Sequence, residues 1–518
     1  MLSQTRAWLG RPLPLHALLF AAYPVLFLFA QNLTEVTVGE VFPPLGRALL
    51  AAGAVALVAG LVLRDLRRGA LIATVLVIAW FAFGHVADLL VPMNVSLNVQ
   101  LFAWGTLILF VALAALFLSR RWVGRVTSAL NVVALVLVTI ALAQVVPYEM
   151  SRPASAAEPA RAVAAPVGAR DIYYFIFDRY GSDAALQAWL GMSNDLPAWL
   201  TSQGFYVAAD SHANYIRTTL SLAATLDMKS LDSVAAKMGR TSGDLSPVDE
   251  MIQDNAAGLF LEARGYRYIH MGSWFGPTQT VRIATQNLHL DTTTDFEAML
   301  DKTTFDPTLD SLLKLPVVPQ QDAIHRDNAL YELQTLPSVE AEPGPKFVFA
   351  HILLPHPPYV FNADGSYPSA EEQKTRTETQ SFQAQLTYTN AQIRDIVTNL
   401  LSVPPDRQPI IVFQADEGPY PDAYQANEGG FDWSTATTDQ LETKYGILNA
   451  LYLPGDAPAG APEPYSTMTS WNTFPIILDR YFGASFPLMP DRSYTSSSLT
   501  KPYDFTDITD RLPSPAGY

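Results

Sequence analysis

The chain of 518 residues contains no cysteine. That excludes disulfides, any Cys-ligated zinc and any nucleophile built from a thiol. Export stays open to it, because a domain of roughly 350 residues buries enough apolar surface to stand without covalent staples. Basic residues are scarce beyond residue 170, where 21 Lys plus Arg face 43 Asp plus Glu, a net of −22; residues 1–170 carry 12 against 6. So acidic a surface repels nucleic acid, while carboxylates gathered inside it suit a divalent cation.

What is present divides near residue 150. Up to there, apolar stretches alternate with short polar loops, and beyond it charged residues, prolines and aromatics mix as in a soluble protein. Five stretches reach the length of a membrane span and are expected to be transmembrane helices, at about 13–31, 45–63, 69–91, 100–118 and 126–146. The organisation expected is therefore a transmembrane domain over 1–146, a linker rich in Ala and Pro over 147–170, and an extracytoplasmic domain over 171–518. Arg6 and Arg11, Arg64 to Arg68, and Arg120 to Arg125 mark three cytoplasmic regions. The opposite loops carry Glu35, Glu40 and Asp88, with Arg47 as the one basic exception. Five spans then place the N-terminus in the cytoplasm and the soluble domain outside, on a multi-pass protein of the plasma (inner) membrane.

Beyond the linker, β-branched and aromatic runs occur at Asp171–Phe177, Phe205–Ala208, Tyr266–His270, Phe347–Leu354, Ile410–Gln414 and Leu448–Leu453. Helical patterns such as Val248–Ala263 and Phe382–Leu401 lie between them. Alternation of this kind predicts an α/β domain with a mostly parallel sheet sandwiched by helices, and a ligand site beyond the carboxyl ends of its strands.

Four elements there carry chemistry. The strand DIYYFIF runs into Asp178, and IIVFQA runs into Asp416 and Glu417; acids leaving buried strands offer the oxygen ligands that hard metals prefer. In FVFAHILLPHPPYVF, His351 lies within an apolar strand and His356 between prolines, where an imidazole can bind an anionic group or act as acid or base. In SHANYIRTTLSLAATL a polar loop with Asn214, Arg217 and Thr218 turns into an apolar helix. Its hydroxyls can be ordinary caps, or one of them can be a nucleophile beside an anion held at the helix N-terminus.

The order of these elements resembles the alkaline phosphatase and sulfatase superfamily over most of residues 171–485, including KYGILNALYLPG and SWNTFPIILDRYFG. With membrane helices in front, the architecture looks like that of lipoteichoic acid synthases and lipid A phosphoethanolamine transferases. The resemblance implies that Asp178, Thr218, Asp416 and Glu417 surround one divalent metal, with Asn214, Arg217, His351 and His356 contacting the phosphoryl or sulfuryl group. The family's usual Asp-His-Gly is Asp416-Glu417-Gly418 here, and no histidine follows His356. A carboxylate there favours Mn, Mg or Ca over zinc.

The expected activity is phosphoryl transfer or hydrolysis through Thr218, on an envelope lipid or glycan. Membrane lipids, a lipid-linked donor and an envelope glycan or lipid acceptor are the expected partners, with no nucleic acid. Two alternatives stand beside it: a sulfatase, and a catalytically silent sulfatase-like domain that binds envelope glycans or partners. A transporter with an accessory domain is disfavoured by the few charges within the apolar segments.

Overall fold

A computed structural model of the chain describes residues 13–513, apart from 34–35, 37, 91–92, 94, 152–167, 291–293, 314–320, 428–429 and 499. The chain forms two compact units, Met1–Ala154 with Thr293–Gln320, and Ser155–Thr292 with Gln321–Tyr518.

The first unit contains α1 (His16–Gln31), α2 (Val38–Leu63), α3 (Leu66–Leu90), α4 (Leu97–Phe117) and α5 (Arg120–Ser151). Four helices, α2 to α5, are long and apolar enough to cross a membrane, where five were expected. The difference is α1, whose 16 residues make roughly 24 Å of helix against a hydrocarbon core of about 30 Å. It still packs within the bundle: Ala17 meets Ala70 and Ala73, and Val25 and Phe29 join Val41 and Val145. The Asn131 side chain ties α5 to the start of α1, accepting from His16 N and donating to Leu13 O. Between α2 and α3 the backbones nearly touch, since a Cβ on Gly69 would lie 2.3 Å from Gly60 N. Helix α5 continues through Pro147 to Ser151. The first residues assigned to the linker are thus helical, and its centre lies outside the described residues. His85 and Asp88 occupy the last turns of α3.

Residues 294–313 cluster with these helices and not with the sheet that flanks them in sequence. Two short helices in this excursion, Asp295–Thr303 and Asp306–Leu313, are received where α3 carries Gly84. A Cβ there would stand 2.3 Å from Lys302 O.

The second unit is the expected α/β domain. Its sheet is built from β1 (Ile172–Phe177), β2 (Tyr206–Val207), β3 (Arg267–Met271), β4 (Gln286–Leu288), β5 (Lys346–Ile352), β6 (Ile410–Gln414) and β7 (Asn449–Tyr452). The order is β2-β7-β6-β1-β5-β3-β4. All pairs from β6 to β4 are parallel, and β7 is antiparallel to both its neighbours. Central strands buried on both faces need unbroken apolar runs, which IYYFIF and IIVFQ supply. Strand β4, of only three residues, and the polar hairpin β8 (Tyr494–Ser498) and β9 (Lys501–Asp507) lack such runs. The pattern Val248–Ala263 breaks into two helices, because Asn255 caps the second one through Gly258 N.

Side-chain alternation sorts the central strands between two cores. Ile172, Tyr174, Ile176, Phe347, Phe349, Ile410 and Val412 face one; Tyr173, Phe175, Phe177, Val348, Ala350, Ile411 and Phe413 face the other. Helix α6 (Thr218–Leu226) packs on the first of these faces through Leu220, Leu222 and Leu226.

Candidate metal centre

The registers Ile176↔His351 and Ile176↔Gln414 determine what meets at the end of the sheet. Asp178 lies two residues beyond Ile176, and Asp416 two beyond Gln414, so both share the face of His351. Three adjacent central strands therefore deliver Asp178, His351 and Asp416 to one point. Each is buried, and each offers one ligand atom within 4.8 Å of the others.

These atoms lack protein partners. Asp178 Oδ1, both oxygens of Asp416 and His351 Nε2 are buried with no hydrogen bond, and His351 Nε2 stands 3.9 Å from Asp178 Oδ2. Burial pushes the Asp178 carboxyl well above the usual carboxylate range, the Asp416 charge adds to this, and Arg179 opposes it. Burial lowers His351 to about 3, so its imidazole is neutral, as a metal ligand must be. Its other nitrogen, Nδ1, lies 2.7 Å from Thr278 Oγ1, while the Thr278 carbonyl accepts from His270 Nε2 at 2.7 Å. A ring held through Nδ1 leaves Nε2 for a cation. Two carboxylates and an imidazole nitrogen left unpartnered fit a divalent metal; His351 was expected at the substrate, and here its Nε2 joins the two acids. Zn is as compatible with this N,O,O set as Mn or Mg.

Glu417 takes a different place. It follows Asp416 but has the opposite parity, and its oxygens meet cations: Oε2 lies 2.7 Å from Lys444 Nζ and Oε1 lies 3.3 Å from Arg179 Nε. It is absent from the metal-ligating group among the described residues. The argument against zinc rested on Glu417 as a ligand, and that basis is gone. Burial lowers Lys444 to about 8, with Glu417 acting to keep its charge. Arg179, at φ +58°, lays its guanidinium 3.5 Å from the Tyr420 ring centre.

The remaining expected residues have other settings. Thr218 is the first residue of α6, half-buried and with a hydroxyl that makes no hydrogen bond to protein. Asn214 is engaged in the framework, accepting from Ser470 Oγ and Trp471 N and donating to Arg492 O. Arg217, the N-cap of α6, lines a cavity of about 150 Å³ with Tyr424 and Phe431, to which none of Asp178, His351 or Asp416 contributes. His356 bonds through Nδ1 to Pro357 O, which fixes the proton on that nitrogen. Burial, then the Arg179 charge, hold its pKa well below the usual histidine value.

Two helices brace the His356 loop. On α7 (Gln321–Glu340), the buried His325 accepts from Trp274 Nε1 at 3.0 Å, and its ring centre is 6.2 Å from that of His356. On α8 (Glu378–Leu400), the buried Gln385 donates to His356 O at 2.8 Å and Pro355 O at 3.2 Å while accepting from Val360 N and Phe361 N. Sequence reasoning missed His325, Trp274, Gln385, Thr278 and Lys444. Lys444, within the quoted KYGILNALYLPG, and Gln385, within the helical pattern Phe382–Leu401, stood in segments already singled out.

The sulfatase family profile matches residues 196–449. Over that range the α/β domain is sulfatase-like. Asp178 precedes the matched range, so its place in the site rests on the geometry above. Among solved structures, the chain is similar to the C-terminal periplasmic domain of EcEptC from Escherichia coli in complex with Zn, at 13% identity and TM-score 0.40, covering 67% of this chain and 94% of that one. It is also similar to the integral membrane protein lipooligosaccharide phosphoethanolamine transferase A from Neisseria meningitidis, at 12% identity and TM-score 0.38, covering 90% and 95%. A third is the phosphonate monoester hydrolase of Agrobacterium radiobacter, at 12% and 0.37, covering 63% and 80%. At such TM-scores nothing about this chain's chemistry follows from them. No curated protein matches the chain. A buried metal-binding triad in a sulfatase-like domain supports enzymatic activity of the metal-dependent hydrolase or transferase kind.

Proposed function

We propose that this protein is a membrane-anchored, metal-dependent phosphoryl transferase or hydrolase, acting on an envelope lipid or glycan through Thr218. The observation that carries the reading is the convergence of Asp178, His351 and Asp416, with unpartnered atoms, at the ends of three neighbouring strands. Asp178, His351 and Asp416 would hold the metal, which when bound lowers the pKa of a nearby hydroxyl and offsets charge on the transferred group.

The chain's own groups do the rest. Thr218 Oγ1 stands at a helix start, where free N–H groups favour an anion. Its hydroxyl gives its proton to His356 Nε2 as the oxygen attacks phosphorus, the P–O bond to the leaving group breaks, the leaving oxygen takes that proton from His356, and a phosphothreonine forms. Arg179 spends only Nε on Glu417, so its two Nη groups can donate to the non-bridging oxygens. His356, neutral with its proton on Nδ1, takes the proton of the incoming water or acceptor hydroxyl on Nε2 and returns the threonine hydroxyl to service. The silent-domain alternative drew its support from Glu417 as an altered ligand, and Glu417 is a partner of Lys444 and Arg179.

The membrane half supports an anchor near a lipid-linked donor or acceptor. We place the N-terminus in the cytoplasm and the α/β domain outside, on the basic loops Arg64–Arg68 and Arg120–Arg125, with α1 as a fifth, short span. The test is turnover of phosphodiester, phosphomonoester and sulfate ester probes by the full chain in detergent with Mn, Mg, Ca or Zn, beside Thr218→Ala. Metal-dependent cleavage of a phosphate ester that Thr218→Ala loses supports the reading. Cleavage of sulfate esters alone, or full activity in Thr218→Ala, overturns it.

A further inference from the structure

Arg47 breaks the charge pattern of the outer loops, and the structure gives it a setting. It stands at the rim of a cavity of about 660 Å³ inside the helical unit, walled by α2, α3, α4 and the excursion around Leu300–Asp306. We infer that this cavity is a resident phospholipid site, in which one acyl chain fills the slot and Arg47 holds the lipid phosphate.

The distribution of side chains sets the direction of the slot. Along α2 the lining runs from Pro44 and Arg47 to Val55, eleven residues from Pro44 and so roughly 16 Å of depth. Consecutive helices run opposite ways, so Trp80 of α3 and Leu101 of α4 lie at the rim with Arg47, and Ala73 and Ile108 lie at the bottom with Val55. Every polar side chain in the lining except Thr304 is charged or aromatic and belongs to the rim; the deep end is apolar throughout. The slot exists because Ala48, Ala51, Ala52 and Gly105 leave it open.

A cavity with that lining does not hold water, since no group at its base can satisfy one, and left empty it forfeits the dispersion contacts of its walls. Within helices of membrane-crossing length, the material at hand is an acyl chain. The volume falls in the range of ordinary ligand sites, about 300–1,000 Å³. At the rim the Arg47 side chain is 66% exposed and, among the described residues, pairs through Nη2 with Glu297, which leaves its other guanidinium donors for a phosphate. Asp306 is held by Trp80 Nε1 at 3.2 Å and Thr304 Oγ1 at 2.9 Å. Asp301 shares the rim, which favours a headgroup whose phosphate is balanced by an amine over a purely anionic one. The inference does not rest on the proposed reaction.

The experiment measures phospholipid phosphorus per chain after the full-length protein is exchanged into lipid-free detergent, for wild type, Arg47→Gln and Ala52→Phe. Helical circular dichroism and bound metal serve as controls of folding. A single phospholipid retained by wild type, and a severalfold loss in both folded variants, is the expected result. Wild type that retains none, folded variants that keep the wild-type amount, or a lipid-free dimer broken by Ala52→Phe would each overturn the inference. If Ala52→Phe fails to fold, Arg47→Gln decides alone.

Discussion

Lys444 Nζ lies 2.7 Å from Glu417 Oε2, and neither side chain is more than 2% exposed. Removing one member of so buried a pair strands the other charge, at a cost of about 3–5 kcal/mol, whereas replacing both is often neutral. Lys444→Met is therefore expected to lower the thermal midpoint sharply, and Lys444→Met/Glu417→Gln to recover most of the loss. Equal destabilisation in the single and double variants would mean that the pair is not the partnership described.

Gln385 holds the His356 loop by both ends of its amide. Gln385→Leu leaves buried backbone groups unpaired and should cost about 1–3 kcal/mol. It should lower kcat while bound metal stays at the wild-type amount, because the triad does not involve α8. Loss of metal in this variant would show that the loop and the triad are not separable.

Glu332 is 1% exposed, and neither carboxylate oxygen has a partner. Burial raises its pKa well above the ordinary value. The folded state therefore keeps a proton that the unfolded chain releases above about pH 4.5, so stability falls as pH rises from there towards the folded pKa. Glu332→Gln removes that dependence. The variant should melt higher than wild type at pH 8, with a difference that shrinks towards pH 4.5; a difference constant with pH would contradict the assignment.

The orientation has a clean test because the chain has no cysteine of its own. A membrane-impermeant maleimide added to intact cells should label Ser202→Cys, an exposed position in the α/β domain, and spare Arg121→Cys, in the first turn of α5. The reverse pattern would invert the topology.

Much of this architecture is legible in the residues themselves. The strand-end acids Asp178 and Asp416 could be found because each leaves an unbroken apolar run, and the six expected strands form. Alternation decided what adjacency could not: Asp416 and Glu417 are neighbours that face different surroundings, and His351 reaches the site only because its register with Ile176 sets it on the face of both acids. Nothing local in the chain announces that register. His325 and Trp274 come from elements 51 residues apart, and Lys444 meets Glu417 only when the end of its helix, α9 (Thr438–Tyr445), returns to the end of β6. The excursion over 294–313 reads as soluble because its helices are short and carry acids at intervals. Its partners are the apolar surfaces of α2 and α3, far away in sequence.

The central claim is that Asp178, His351 and Asp416 hold one divalent metal ion. Elemental analysis of the purified full chain, wild type beside Asp416→Asn and Lys444→Met/Glu417→Gln, tests it most directly. The account predicts a single metal equivalent in wild type and in the double variant, and its loss in Asp416→Asn; metal retained by Asp416→Asn, or lost only when Glu417 is replaced, would contradict it.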